Sequence, residues 1–195
     1  MDRTADGWGE PYNPGPPINT GRPEFFPSVT HDGTLYFTRV PGDDGASYIY
    51  RSRFIDGRYT EAEKLGPEVN STPNQYNAFI APDETYLILC TPDREDTRGG
   101  TDYYIVFRSD DDSWTGPVNL GDAINTPGNT EFSPYVSRDG RFLFFMSTHP
   151  RPADLIPDTL SRDFLLRYRS EPGSGNPAIY WISASFLERL RPAGS

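Results

Sequence analysis

Residues 132–147 read FSPYVSRDGRFLFFMS. Two runs rich in aromatic and β-branched residues flank Arg138-Asp139-Gly140-Arg141. An Asp-Gly pair tolerates positive φ and favours a tight hairpin. The stretch therefore predicts strand a over Phe132–Ser137 and strand b over Phe142–Ser147. The same pattern stands twice upstream. Phe25–Thr30 and Leu35–Arg39 flank His31-Asp32-Gly33-Thr34, and Asn77–Ala81 and Tyr86–Thr91 flank Pro82-Asp83-Glu84-Thr85.

Other markers keep the same period. Asp32, Asp83 and Asp139 are spaced by 51 and 56 residues. Ile18-Asn19-Thr20, Val69-Asn70-Ser71 and Ile124-Asn125-Thr126 recur at 51 and 55, as do Trp8, Tyr59 and Trp114. Three independent markers on one period identify an internal repeat. Each unit continues into strand c (Tyr48–Phe54, Tyr103–Arg108, Ile179–Ser183) and strand d (Tyr59–Leu65, Trp114–Leu120). Four-stranded units of about 40 to 50 residues predict propeller blades. The expected fold class is all-β, a β-propeller with three visible blades, at 24–75, 76–130 and 131–195, the last carrying an insertion at 148–178. Residues 1–23 precede them and include an outer strand d, Trp8–Gly15. Propellers have about four to eight blades, so three point to part of a longer propeller or to assembly with another chain; the alternative is that the N-terminal strand completes the last blade and closes a ring. Helices are expected at Asp158–Tyr168, where Leu160, Phe164 and Tyr168 share a face, and at Phe186–Leu190 behind a Ser185-x-x-Glu188 capping box.

Composition agrees with many short strands. Hydrophobic residues are 35% of the chain and aromatic residues 14%, with 20 prolines and 18 glycines as turn punctuation. Trp8, Trp114, Tyr36, Phe37, Phe144 and Phe145 are expected in the core, with Trp181 as the exception. Cys90 lies in the apolar run Tyr86–Cys90 and reads as a buried, inert thiol. The net charge of −10 and the dispersed basic residues argue against nucleic acid as partner. The longest apolar run, Phe142–Met146, is far short of a membrane span. The N-terminal MDRTADGWGEPYNPG has neither the basic nor the apolar region of a signal peptide.

The segments Glu24-Phe25-Phe26-Pro27-Ser28, Asp32-Gly33-Thr34-Leu35-Tyr36-Phe37, Ile49-Tyr50-Arg51-Ser52, Trp114 to Gly121 and Ile179-Tyr180-Trp181 resemble WD40-like propeller repeats of the TolB type. The resemblance runs over essentially the whole chain. It implies a bacterial propeller of the periplasm or cell surface, with further blades and an export signal N-terminal to the repeats seen here. The family shares no catalytic residues, so the resemblance implies a fold and no active site.

In a propeller the b–c and d–a loops share one face. Here the a–b and c–d turns are minimal, whereas the b–c loops Val40–Ser47, Pro92–Asp102 and Thr148–Ala178 are long. Binding residues concentrate on such loops. The candidate ligand-binding residues are Glu24, Asp43, Asp44, Gln75, Arg94, Asp96, Arg98, Asn129, Glu131, His149 and Arg151, with Asn74 beside them. Glu24, Gln75 and Glu131 hold equivalent positions at the start of strand a, where a ring of carboxylates could hold a cation or a cationic side chain. Enzymatic readings find less support. Ser109-x-Asp111-x-Ser113-Trp114 only loosely matches the sialidase Asp box, and His31 and His149 have no nucleophile elbow to serve. No cofactor is expected; calcium is the one metal that the acidic stretches Asp93–Asp96 and Asp110–Asp112 suggest. The expected function is a non-catalytic scaffold for a protein or peptide ligand. A carbohydrate-active propeller using two loop carboxylates is the alternative. Uncovered sheet faces also predict self-association.

Overall fold

The Asp-centred turns close their hairpins through the aspartate side chain. Asp32 accepts from the Thr34 amide at 3.0 Å, Asp83 from Thr85 at 3.2 Å, and Asp139 from Arg141 at 3.2 Å. An aspartate that bonds the backbone two residues on imitates a backbone turn. From these hairpins grows an all-β structure, a computed structural model describing residues 3–192. The expected outer boundaries at 1 and 195 lie outside the described residues.

A short hairpin, β1 (Arg3–Thr4) with β2 (Gly7–Trp8), comes first. The first sheet contains β3 (Glu24–Val29), β4 (Leu35–Arg39) and β5 (Tyr48–Ser52). After the small hairpin β6 (Phe54–Ile55) and β7 (Arg58–Tyr59), β8 (Glu63–Lys64) completes it in the order β3-β4-β5-β8. The second sheet is β9 (Tyr76–Ile80), β10 (Tyr86–Thr91), β11 (Asp102–Phe107) and β12 (Val118–Asn119), in sequential order. The third is β13 (Glu131–Val136), β14 (Phe142–Ser147) and β15 (Ala178–Ser183), with no fourth strand among the described residues. Helix α1 (Arg162–Ser170) lies in the insertion between β14 and β15. All strand pairings among the described residues are antiparallel, and one isolated bridge, Thr101 with Thr130, is parallel.

The sheets pack on one another in chain order, because the middle one is apolar on both faces. Leu87, Leu89, Tyr104 and Val106 pack with Tyr36 and Ile49 of the first sheet. The alternate residues Ile88, Tyr103, Ile105 and Phe107 pack with Leu143 and Phe145 of the third. Period-two alternation sends successive side chains to opposite faces, so a strand buried on both sides reads as a continuous apolar run. The leading strand β9 adjoins both β3 and β13, and each of the three carries a non-glycine residue at positive φ, namely Phe26 (52°), Asn77 (50°) and Ser133 (66°). Pairing to the neighbouring strand shifts register at each of these sites. Such bulges re-aim the strand and free side chains for cross-links. The Ile80 amide donates to Ser28 Oγ at 3.0 Å, and Asn77 Nδ2 to Ser133 Oγ at 3.2 Å.

Several expected elements differ. The N-terminal strand Trp8–Gly15 reduces to Gly7–Trp8, since Pro11, Pro14, Pro16 and Pro17 remove the N–H groups a longer ladder needs. Strands d are two residues long, and a threonine hydroxyl replaces part of the ladder. Thr60 Oγ1 accepts from the Arg53 amide at 3.1 Å, and Thr115 Oγ1 from the Phe107 amide at 2.9 Å. Strand c of the first sheet stops at Ser52, and Phe54 joins the separate hairpin. The insertion helix begins later than expected, at Arg162, because the Ser161 hydroxyl caps it by accepting from Phe164 N. Phe164 and Tyr168 do stack on it, while Leu160 precedes it. The C-terminal turn is a 3-10 helix, Ala184–Leu190, capped by Ser183 rather than Ser185. Trp8 is 65% exposed and Phe144 36%, both outside the core expected of them; Trp181 is exposed as expected. Cys90 is fully buried, and burial pushes its thiol pKa well up. No described helix is long and apolar enough to cross a membrane.

Candidate functional site

The site starts from a repeated asparagine. Asn70 Oδ1 accepts from the Ile49 amide at 2.8 Å, and its Nδ2 donates to the Ile49 and Leu65 carbonyls. Asn125 does the same at Tyr103, with both bonds at 2.8 Å. Each side-chain amide imitates a strand residue and clips the d–a loop to strand c. Asn19 is the third copy of the motif and donates instead to Asn13 Oδ1 at 2.6 Å.

Each d–a loop delivers a threonine to the residue at the start of strand a. In the first sheet Glu24 accepts from Thr20 Oγ1 at 2.6 Å and from Arg39 Nε at 3.0 Å. In the second, Gln75 donates from Nε2 to Thr72 Oγ1 at 2.7 Å and to Thr91 Oγ1 at 3.1 Å. In the third, Glu131 Oε1 accepts from Thr126 Oγ1 at 2.8 Å and from Ser147 Oγ at 2.9 Å. Glu131 is fully buried, and its Oε2 is the one buried side-chain N or O without a partner among the described residues. Burial raises its pKa above the ordinary carboxylate value, against the pull of the Thr126 and Ser147 hydroxyls. The three equivalent positions therefore differ: one carboxylate is paired with arginine, one position is an amide, and one is a carboxylate with no described side-chain cation beside it.

The remaining candidates sit on the same loops, in separate groups. Asp43 pairs with Arg22, and Asp44 caps the Ala46 amide. Arg94 bonds Asp96 and Ser71 and lies 4.9 Å over the Tyr104 ring, whose hydroxyl donates to Asp96 at 3.1 Å. Asn74 donates to Asp93 at 3.0 Å. Arg98 pairs with Asp122 at 2.8 Å, and Asn129 donates to Thr126 Oγ1. The Asn129 carbonyl accepts from the Gly100 amide at 2.6 Å, an approach so close that a Cβ on Gly99 would lie 1.9 Å from that oxygen. Arg151 pairs with Glu171 at 2.8 Å inside the insertion.

Thr126 and Ser147, the two hydroxyls that bond Glu131, also wall a cavity of about 290 Å³ together with Phe145, Tyr180, His149 and Asp122; Glu131 lies behind them and does not itself line it. Of the lining residues, only His149 was singled out by its sequence. Aligning the ends of strands b exposes the difference: Arg39, Thr91 and Ser147 occupy one repeat position, and the arginine stands only in the first copy.

On the opposite face the acidic turn Asp110–Asp112 takes arginines. Asp112 accepts from Arg51 Nη1 at 2.7 Å and Nη2 at 2.9 Å, from Arg53 at 2.7 Å and from Arg108 at 2.8 Å. Hydrogen bonds from Arg51 hold its pKa well below the usual carboxylate range. Arg108 also meets Glu84, which accepts from the Tyr36 hydroxyl at 2.8 Å. Among the described residues no three His, Cys, Asp or Glu side chains converge on a common metal position. No protein-family model matches the chain, and no curated protein matches it in sequence.

Glu131→Gln should stabilise the protein at neutral pH. Because the folded-state pKa is raised, the wild-type carboxyl contributes fully below the unfolded value of about 4.3 and loses that contribution as pH rises through the folded value. The glutamine does not titrate. Its Tm should exceed that of the wild type by a few degrees at about pH 7.5, and the gap should close near pH 4. Equal Tm values at both would contradict an unpaired buried carboxylate.

Proposed function

We propose that this chain is a TolB-like propeller whose b–c and d–a loops bind a protein or peptide, at the periplasm or cell surface of a bacterium. The observation that carries the reading is the order of those loops. Arg22–Asp43 and Arg98–Asp122 tie loop to loop, Arg151–Glu171 braces the insertion internally, and the Gly100–Asn129 contact ties the second sheet's b–c loop to the d–a loop before the third. Loops fixed beforehand lose little entropy when a partner arrives, which raises affinity for a given contact area. The opposite face has short turns and the 3-10 helix Ala184–Leu190, and Arg51, Arg53 and Arg108 converge there on Asp112.

Peptides selected from a displayed random dodecapeptide library against the intact chain test this. Selected peptides should lose binding when His149, Arg94 or Asp96 is replaced by alanine and keep it when Asp32 or Arg138 is. Selection of peptides that respond only to the second pair, or no enrichment at all, overturns the reading.

The free edge of β15 favours self-association as well. Ile179, equivalent in register to the buried Ile49 and Tyr103, is 75% exposed, and Trp181 is 65% exposed. Asn19 carries the clip that Ile179 lacks. We place the Asn19 segment of a second copy against β15, where it supplies the missing outer strand.

A further inference from the structure

The three repeats solve one problem in three ways, and the third solution is incomplete. In the first, Phe37 and Tyr50 stack with centroids 6.1 Å apart, and the Arg39 guanidinium lies 5.1 and 4.8 Å from them. The same guanidinium bonds Glu24 and donates to the Pro17 and Ile18 carbonyls at 2.9 and 3.0 Å. In the second, Arg94 reaches back from the b–c loop to cover Tyr104, the counterpart of Tyr50. In the third, Phe145 and Tyr180 stack as Phe37 and Tyr50 do, at 5.8 Å and 29°. The loop residues Ala123 and Ile124 stand where Pro17 and Ile18 stand. Position 147 is a serine, however, and no described cation lies over Tyr180. What remains is the cavity of about 290 Å³, with Glu131 buried behind Thr126 and Ser147 and one carboxylate oxygen unbonded.

We propose that this cavity receives a guanidinium group from outside the chain, stacked on Tyr180 and balanced by Glu131. The inference rests on the loop-face binding reading and names the chemistry it selects. Guanidinium suits the cavity better than ammonium because it is planar, stacks on an aromatic face and donates in a fixed fork. Charge-assisted bonds to a desolvated carboxylate are the strong ones, and here the carboxylate is already desolvated by the fold. A guanidinium that bonds Oε2 also removes the one unsatisfied buried oxygen, the kind of group whose presence calls for a partner.

The test is calorimetric titration of the intact chain with N-acetyl-arginine methylamide, with the lysine and citrulline analogues and agmatine alongside. The arginine compound should bind at least about tenfold tighter than the uncharged citrulline analogue, the discrimination expected of a charge-assisted bond. Tighter binding of the methylamide than of agmatine identifies an arginine within a polypeptide as the source; the reverse identifies a free guanidinium compound. Glu131→Gln should weaken the arginine compound by a similar factor, and the variant should fold, because Gln75 occupies the equivalent place in the second repeat. Ser147→Arg, which recreates the arrangement at Arg39, should abolish binding and raise Tm. Equal binding of arginine and citrulline analogues, or undiminished binding by Glu131→Gln, overturns the inference. Library peptides that engage the loop face while these compounds fail would leave the broader reading standing and remove this one.

Discussion

Asp112→Ala should cost about 3 kcal/mol of unfolding free energy, while Asp111→Ala, one residue away, should leave the unfolding midpoint almost unchanged. Both aspartates belong to the run Asp110–Asp112, and nothing in their composition separates them. Their surroundings do. Asp111 only shapes its own turn, accepting from Ser113 Oγ at 2.6 Å. Asp112 is the bidentate partner of Arg51, a guanidinium 5% exposed in the middle of strand c. Removing Asp112 leaves the buried Arg51 with one carboxylate, the half-exposed Glu63 at 2.8 Å, and a buried charge that loses most of its pairing is the expensive outcome. The figure sits at the low end of the usual range because about a third of Asp112 is in water. The sign with pH follows. A carboxylate whose folded pKa is depressed stabilises above its unfolded value, near 3.9, and loses that contribution as pH falls toward the folded one. Denaturant unfolding of wild type and variant should therefore diverge at neutral pH and converge in acid. A gap that stays constant with pH would mean that packing, not charge, makes the difference.

The strands were legible because their chemistry is local. Asp32, Asp83 and Asp139 each close a turn within two residues, and the apolar runs after them have nowhere to go but a sheet interior. The repeated Asn70 and Asn125 were legible as markers, though their action was not: a side chain 21 or 22 residues from its partner gives no sign in sequence of which backbone it imitates. Strands d were misjudged for a related reason. Tyr59–Leu65 and Trp114–Leu120 have strand-like composition, but Thr60 and Thr115 take over the hydrogen bonds that a longer ladder would have made. The loop-face positions were legible as loops, since the long b–c connections carry them. The distinction that matters, Glu24 paired and Glu131 not, depends on what stands across the strand at Arg39 and Ser147. Trp8 and Phe144 were placed in the core by residue type alone, whereas exposure is decided by whether a neighbouring strand or sheet is there to cover them.

The three asparagines give the other large effect and a way to read the assembly. Asn125→Ala should destabilise by about 3 kcal/mol, because the Tyr103 amide loses its acceptor inside the core while the Tyr103 carbonyl keeps only Leu120. Asn70→Ala should cost nearly as much, since Ile49 is buried and held in the same way, its carbonyl keeping Leu65. Among the described residues Asn19 meets no strand c and bonds Asn13 instead, so in dilute solution Asn19→Ala should shift stability by less than about 0.5 kcal/mol. If the Asn19 segment docks on β15 of a second copy, that picture changes with concentration. Light scattering after size exclusion should then report a mass above that of one 21.9 kDa chain, and Asn19→Ala should return it to the monomer. Two copies joined in this way bring six four-stranded units together, inside the range of about four to eight that closed propellers occupy. A monomer at every concentration, or an assembly indifferent to Asn19→Ala, would show that β15 is not covered by this segment. A stability order in which Asn19 matched Asn70 and Asn125 at low concentration would mean that the clip finds its strand within a single chain.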